Sequence, residues 1–132
     1  MAGDAPADLV YEGEQVVAFL DAAPAAPGHT LVVPKSHHET LLDVPDDVAG
    51  RLFRTARRVA QSLEANFDHG GFNLVQSNGA AAGQDVFHAH VHVIPRSDDD
   101  DVTLTWEPRD RDAQPQRAIA ASVREGLDAG SR

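Results

Sequence analysis

The segment Val86-Phe87-His88-Ala89-His90-Val91-His92-Val93-Ile94-Pro95 places a histidine at every second position over five residues. In a strand, side chains two apart share a face, so His88, His90 and His92 would form one row while Phe87, Ala89, Val91 and Val93 turn into a core. A rise of about 3.3 Å per residue puts neighbouring histidines about 6.6 Å apart and the outer two about 13 Å apart, too far to ligate one metal unless the strand breaks. A pair could bind zinc or iron, with a distant residue such as His37 contributing, although carboxylate or cysteine partners are not obvious nearby. A structural reading would simply satisfy the three rings in or near a core. Their concentration on one face, fed by a glycine-bearing loop, argues against it. The remaining chemistry is nucleophilic attack at phosphorus. Imidazole, with a reference pKa of about 6.5, is mostly neutral at pH 7 and attacks without a separate base, which a serine would need. The loop Ser77 to Gln84, with Gly79 and Gly83, could bring backbone N–H groups to phosphate oxygens, and Ser77, Asn78 and Gln84 could add side-chain donors.

Those residues need elements to position them. Val10-Tyr11 and Val16 to Leu20 read as short strands around the turn-like Glu12-Gly13-Glu14, followed by the breaker-rich Ala22 to Gly28. His29 to Pro34 reads as a buried strand, and Phe72 to Gln76 as another. From Pro45 to about Phe67 the residues Val48, Leu52, Ala56, Val59, Leu63 and Phe67 recur every three or four positions, which is one face of a helix. Pro45 suits its first position, Asp46 and Asp47 complement the positive end of its dipole, and Gly70-Gly71 follows its end. The opposite face carries Arg51, Arg54 and Arg58. These form either an anion-binding stripe or a solvated face paired locally, for instance Asp47 with Arg51 four residues on. The run Asp98 to Asp101 reads as an exposed linker, Val102 to Trp106 as a short strand, and about Pro115 to Leu127 as a last helix. The expected organisation is a flexible terminus over residues 1–8, one domain over 9–97, and an acidic linker with a helical C-terminal segment over 98–132. Trp106 could close a pocket or cover a dimer edge.

Composition narrows the function classes. The 132 residues suit one compact globular domain, and with no cysteine neither a disulfide nor a thiolate metal site can form. Apolar runs are far shorter than the roughly 20 residues that cross a bilayer, and no basic-then-apolar leader opens the chain, so a cytoplasmic protein with no membrane partner is expected. Acidic residues number 21 against 11 basic ones, for a net charge of −10. A nucleic-acid partner is therefore not expected, because such a charge repels phosphate backbones. Fifteen of the acids are Asp, and Lys35 is the single lysine. That bias suggests adaptation to molar salt, as in a halophilic archaeon, or an ordinary acidic protein from a GC-rich genome.

On these residues the chain resembles the histidine triad (HIT) superfamily of nucleotide hydrolases and transferases. The resemblance runs from Val10 to Arg96, about two-thirds of the chain, through Ala18-Phe19-Leu20-Asp21, Ala26-Pro27-Gly28-His29-Thr30-Leu31-Val32-Val33-Pro34-Lys35, Gly71-Phe72-Asn73-Leu74, Asn78-Gly79, Ala82-Gly83-Gln84 and Phe87 to Arg96. It implies an α+β fold with an antiparallel sheet of about five strands, one long helix and a C-terminal helix, paired into a homodimer. It also implies that His90 attacks the α-phosphate of a purine nucleotide and is itself nucleotidylated, after which water releases the nucleoside monophosphate. His92 would contact the phosphate, His29 and His88 would support the site, and Asp21 would accept from ribose hydroxyls. Phe19 and Leu31 would either wall the base or belong to the core, and Ser77, Asn78, Gly83, Gln84 and Asp85 would lie along the substrate.

The chain departs from the pattern in three places. Many prokaryotic members hold a structural zinc with two N-terminal cysteines and the histidines matching His37 and His88; without the cysteines, neither zinc nor any other cofactor is expected here. Ser77 stands where many members have Asn or Gln. Asp85 stands where one branch has a serine near the leaving group, and a carboxylate there must face solvent, be protonated or be countered by a cation. The resemblance leaves open an adenosine phosphoramidate-like substrate, a dinucleoside polyphosphate, and a nucleotide-binding signalling module with little turnover.

Overall fold

The computed structural model describes residues 8–66, 70–110, 112 and 115–130, in two compact units, 1–102 and 103–132. In the first unit the strands are β1 (Leu9–Glu12), β2 (Val16–Leu20), β3 (Thr30–Pro34), β4 (Gly71–Val75) and β5 (Val91–Arg96), with helix α1 (Asp46–Asn66) between β3 and β4. They form one antiparallel sheet in the order β1-β2-β3-β5-β4. This is the α+β architecture expected from the sequence. Residues 1–7 and Phe67, read as a loose terminus and the last helical apolar position, lie outside the described residues.

Helix α1 follows the apolar period. Val48, Leu52, Ala56 and Val59 are buried against Val16, Ala18, Val32, Val91 and Val93 of the sheet, with Leu63 partly covered beside them. Leu52 has no exposed surface, and burying a leucine contributes about 1.5–3 kcal/mol. Asp47 accepts from Gln15 across 3.5 Å rather than pairing with Arg51. The alternation of strand side chains then fixes what lies on the opposite sheet face. There, partners across the ladders make the row Phe19, Leu31, His92, Val75.

Three sequence expectations need correction. The histidine segment is regular only from Val91 to Arg96; residues 86–88 form a bend, and Phe87 is exposed instead of entering the core. No strand forms over Val102 to Trp106. The acidic run is not solvated throughout: Asp100 takes two bonds from the Arg96 guanidinium, at 2.7 and 2.9 Å, and bonds from the Ser97 and Val102 amides. The Arg96 guanidinium holds the Asp100 carboxyl far below the ordinary carboxylate range. In the second unit, helix α2 (Gln116–Gly130) carries Ile119, Val123 and Leu127 at four-residue spacing, and Trp106 is exposed. Among the described residues no helix is long and apolar enough to cross a membrane.

Candidate active site

His90 lies one residue before β5 and is buried. Its Nδ1 is 2.7 Å from the His88 carbonyl oxygen, which can only accept, so Nδ1 carries the proton. In the neutral ring Nε2 is then left with a bare lone pair. The backbone around it is anchored from outside the sheet: the Ala89 amide donates to the His38 carbonyl at 2.7 Å.

A second chain of fixed protons runs beside it. The Ala25 amide donates to His29 Nδ1 at 2.9 Å, so neutral His29 keeps its proton on Nε2. That Nε2 lies 2.9 Å from His92 Nδ1 and 3.5 Å from an Asp21 carboxylate oxygen. Donation to His92 Nδ1 leaves the His92 proton on its own Nε2, available to a ligand oxygen. The His90 and His92 rings are 4.9 Å apart and nearly perpendicular. Burial pushes the pKa of His29 down from 6.5, opposed by Asp21. Burial likewise lowers His92, helped by His90 and His29 and opposed by Asp21 and Asp85. Both rings are thus held toward the neutral form that this proton chain requires.

The turn that delivers His29 depends on Gly28. Its φ is +92°, and a Cβ there would meet a Leu63 methyl at 3.0 Å and the Pro95 ring at 3.4 Å. Asp21 follows β2, its amide donates to the His29 carbonyl, and one of its carboxylate oxygens accepts from the Ala23 amide. Phe19, half-buried, and Leu31, buried, complete the row beside His92. Asp21, His29 and His92 have potential ligand atoms within 4.8 Å of one another. They form a hydrogen-bonded chain rather than an open ligand set, because the His29 Nε2 a metal would need holds a proton.

The loop before the histidines differs from the expected cradle. The amides of Gly79, Ala82, Gly83 and Gln84 are all bonded within the loop. Gln84, buried, spends both amide hydrogens on the Glu39 and Val86 carbonyls and accepts from Gly79, so its side chain braces the loop and has nothing left to donate to a ligand. Asn78 accepts from the Leu41 amide and exchanges hydrogen bonds with Gln76, which leaves it one amide hydrogen. Gly83 is the left-handed residue closing the short 3-10 turn Ala80–Ala82. The Ser77 hydroxyl has no partner among the described residues. Asp85 is exposed, yet its charge reaches His92 and raises that ring's affinity for a proton.

His88 is separated from the other two triad histidines. Its Nε2 donates to the Pro34 carbonyl at 2.8 Å, and its Nδ1 faces His37 Nδ1 at 3.3 Å. A structural zinc takes four ligands, and among the described residues no third potential ligand is grouped with this pair, so the donors present do not fit one. The sequence singled out His88, His90 and His92 as one row. The geometry instead joins His90 and His92 to His29 and Asp21, and uses His88 through its carbonyl. The His38 and Glu39 carbonyls, which hold the loop, carry no sequence signal because any residue supplies a carbonyl.

Comparison with known proteins places this geometry. A HIT-like protein of Methanocaldococcus jannaschii is 46% identical over 99 residues, covering 74% of this chain and 75% of that protein. Protein hit of Bacillus subtilis is 38% identical over 130 residues, covering 96% and 90%. The adenylylsulfatase HINT3 of Arabidopsis thaliana is 36% identical over 98 residues, covering 74% of this chain and 50% of that protein. Among solved structures, a HIT family member from Bacillus subtilis superposes with a TM-score of 0.85 at 38% identity, covering 94% of this chain and 90% of that one. A histidine triad nucleotide-binding protein from Candida albicans gives 0.83 at 29% identity, covering 96% and 92%. A zinc-bound histidine triad protein from Mycobacterium smegmatis gives 0.71 at 35%, covering 95% and 91%. The HIT domain matches residues 2–99, and the chain belongs to the HIT family.

Proposed function

We propose that this protein is a nucleotide hydrolase acting at the α-phosphorus of a purine nucleoside monophosphate joined to a leaving group, an amine being the first choice. The single observation carrying the reading is the His90 tautomer: the His88 carbonyl holds the proton on Nδ1 and leaves Nε2 bare as a nucleophile. His90 Nε2 attacks phosphorus, and the bond to the leaving group breaks with its electron pair, the group taking up a proton from solvent. Water then attacks phosphorus and gives up a proton to solvent, the N–P bond breaks with its electron pair returning to Nε2, and nucleoside monophosphate departs with neutral His90 restored. The His92 Nε2–H donates to a phosphate oxygen and stabilises the charge that builds there. His29 holds His92 in that tautomer. Asp21 keeps acceptor capacity for ribose hydroxyls, and Phe19 and Leu31 flank the base.

The names of two relatives fit this reading, one an adenylylsulfatase and one a nucleotide-binding protein. Sulfate therefore stands beside the amine as a leaving group, and the nucleotide of a dinucleoside polyphosphate is the further alternative. A binding module with little turnover is the second reading, favoured by the internal engagement of Gln84 and Asn78. We further propose a cytoplasmic homodimer without a required metal. It would work in strong salt, where a screening length of about 3 Å at 1 M, against about 8 Å at 0.15 M, relieves repulsion of an anionic substrate.

The test is AMP release from adenosine 5′-phosphoramidate, adenylyl sulfate and diadenosine tetraphosphate, with chelator, in molar KCl and in dilute buffer. Chelator-resistant release that His90→Ala abolishes is expected, the fastest substrate naming the leaving group. Nucleotide binding with no release from any of the three would replace the hydrolase with the binding module.

A further inference from the structure

Arg51, Arg54 and Arg58 stand three and four residues apart on α1, so their side chains share one face of the helix. They line a cleft of about 290 Å³ together with Thr55 of the same helix and Val10 and Tyr11 of β1. Consecutive strand residues ordinarily point to opposite faces. The β1–β2 ladder is irregular here: Leu9 pairs with Phe19, but Tyr11 pairs with Ala18, so two steps along β1 match one along β2. Such a bulge re-aims side chains and accounts for Val10 and Tyr11 both reaching the cleft. The Tyr11 ring lies against Gly13, where a Cβ would come within 2.6 Å of its hydroxyl.

Among the described residues no ion pair neutralises the charge of this cleft. The chain carries 21 acidic residues, yet none of the three arginines makes an ion pair among the described residues. Glu12, next to Tyr11 in sequence, is taken by Lys35 at 3.0 Å, and Asp47 is occupied by Gln15. The three arginines are exposed, as a solvated helix face would be, but the local pairing expected of that face is missing among the described residues, which leaves them open to an anion. Three guanidinium groups with five N–H donors each repel one another unless a multivalent anion bridges them, and their planar forks match phosphate oxygens. The surrounding negative charge disfavours a long nucleic acid strand, which would have to cross it.

We propose that the cleft between β1 and α1 is a second ligand site, taking a small anion that bears two or more phosphate groups. It lies on the α1 side of the sheet, whereas His92 and its row lie on the other, so its occupant does not touch the nucleophile. The phosphates sit on the arginines, with the Thr55 hydroxyl as a further donor. Tyr11 offers a face to a planar group if the anion carries one.

The experiment titrates tripolyphosphate and a nucleoside triphosphate into the full chain at the lowest salt that keeps it folded, following backbone amide and arginine Nε–H signals by NMR. Both probes should shift Arg51, Arg54, Arg58 and Thr55, and Arg54→Gln/Arg58→Gln should weaken binding there by at least about tenfold. That variant should retain the circular dichroism spectrum and AMP release of the wild type. A tighter nucleoside triphosphate whose advantage Tyr11→Ala removes identifies a nucleotide. Equal affinities identify an inorganic or sugar-free polyphosphate, and both results uphold the site. Shifts confined to residues around His29, His90 and His92, or unchanged affinity in the double variant, would overturn it.

Discussion

His90 and His92 face each other across 4.9 Å but are held by different physics. His92 stands on β5, where ladders to β3 and β4 fix its register and the flanking Val91 and Val93 are anchored beneath α1. A one-residue slip would turn every side chain of that strand to the wrong face, so apolar burial enforces its position. His90 precedes the strand, in a stretch from Gln84 where Ala89 alone joins the apolar core and the rest is held by polar contacts: the Gln84 amide on Glu39 and Val86, the Ala89 amide on His38, and the His90 ring on the His88 carbonyl. The half packed by hydrophobic burial aims the histidine that supports the site. The half packed by hydrogen bonds aims the proposed nucleophile and leaves it free of ladder constraints.

Four perturbations separate the two halves. Deleting the nucleophile itself should have the largest effect, His90→Ala lowering turnover by at least about a thousandfold while nucleotide affinity, read by calorimetry, changes far less. Beneath the regular half, Leu52→Ala opens a cavity against the sheet and should cost about 2–5 kcal/mol in urea unfolding, with kcat per folded molecule retained. Gln84→Ala acts on the irregular half. It should cost about 1–3 kcal/mol, because it leaves the half-buried Gly79 amide without its acceptor and the Glu39 and Val86 carbonyls without their donor, and should lower kcat even where the protein remains fully folded. If Gln84→Ala cost stability but left kcat intact, the distinction between the halves would fail.

The smallest expected effect is with pH. His29 and His92 are both held below their ordinary value of 6.5, so on acidification the unfolded chain binds protons first. Their contribution to stability is complete above 6.5 and is lost as pH falls from there through their folded values. Urea midpoints in molar KCl, which screens the net charge, should drop over that window more in the wild type than in His29→Asn. The Asp100 contribution belongs to a separate, more acidic window, below the ordinary carboxylate value of 3.8.

What the sequence made legible follows the same division. The helical period from Val48 to Leu63 and the alternation from Val91 to Val93 report burial, which is written locally in residue type. They correspond closely to α1 and β5. The same alternation reads just as regularly through Phe87 and His88, yet the chain bends there, because the Ala89 amide finds the His38 carbonyl 51 positions away instead of a ladder partner. Gln84 and Asn78 have the right chemistry for a ligand, and only the fold shows that their amides bind the chain itself. Asp100 looked solvated within a run of aspartates, and its bond to Arg96 could not be told from its three neighbours. Asp21 and His29 are identified by resemblance and His92 already by the histidine spacing, while their proton order depends on the Ala25 amide.

The central claim is that His90 Nε2 bonds covalently to the nucleotide during turnover. Rapid acid-free denaturation of the working enzyme on radiolabelled adenosine 5′-phosphoramidate, or on whichever substrate turns over, followed by peptide mass spectrometry, tests it directly. The account predicts one nucleotidyl group on the peptide containing His90, formed and discharged at rates consistent with AMP release. Turnover with no adduct at any time, or with the label on a different histidine, would contradict it.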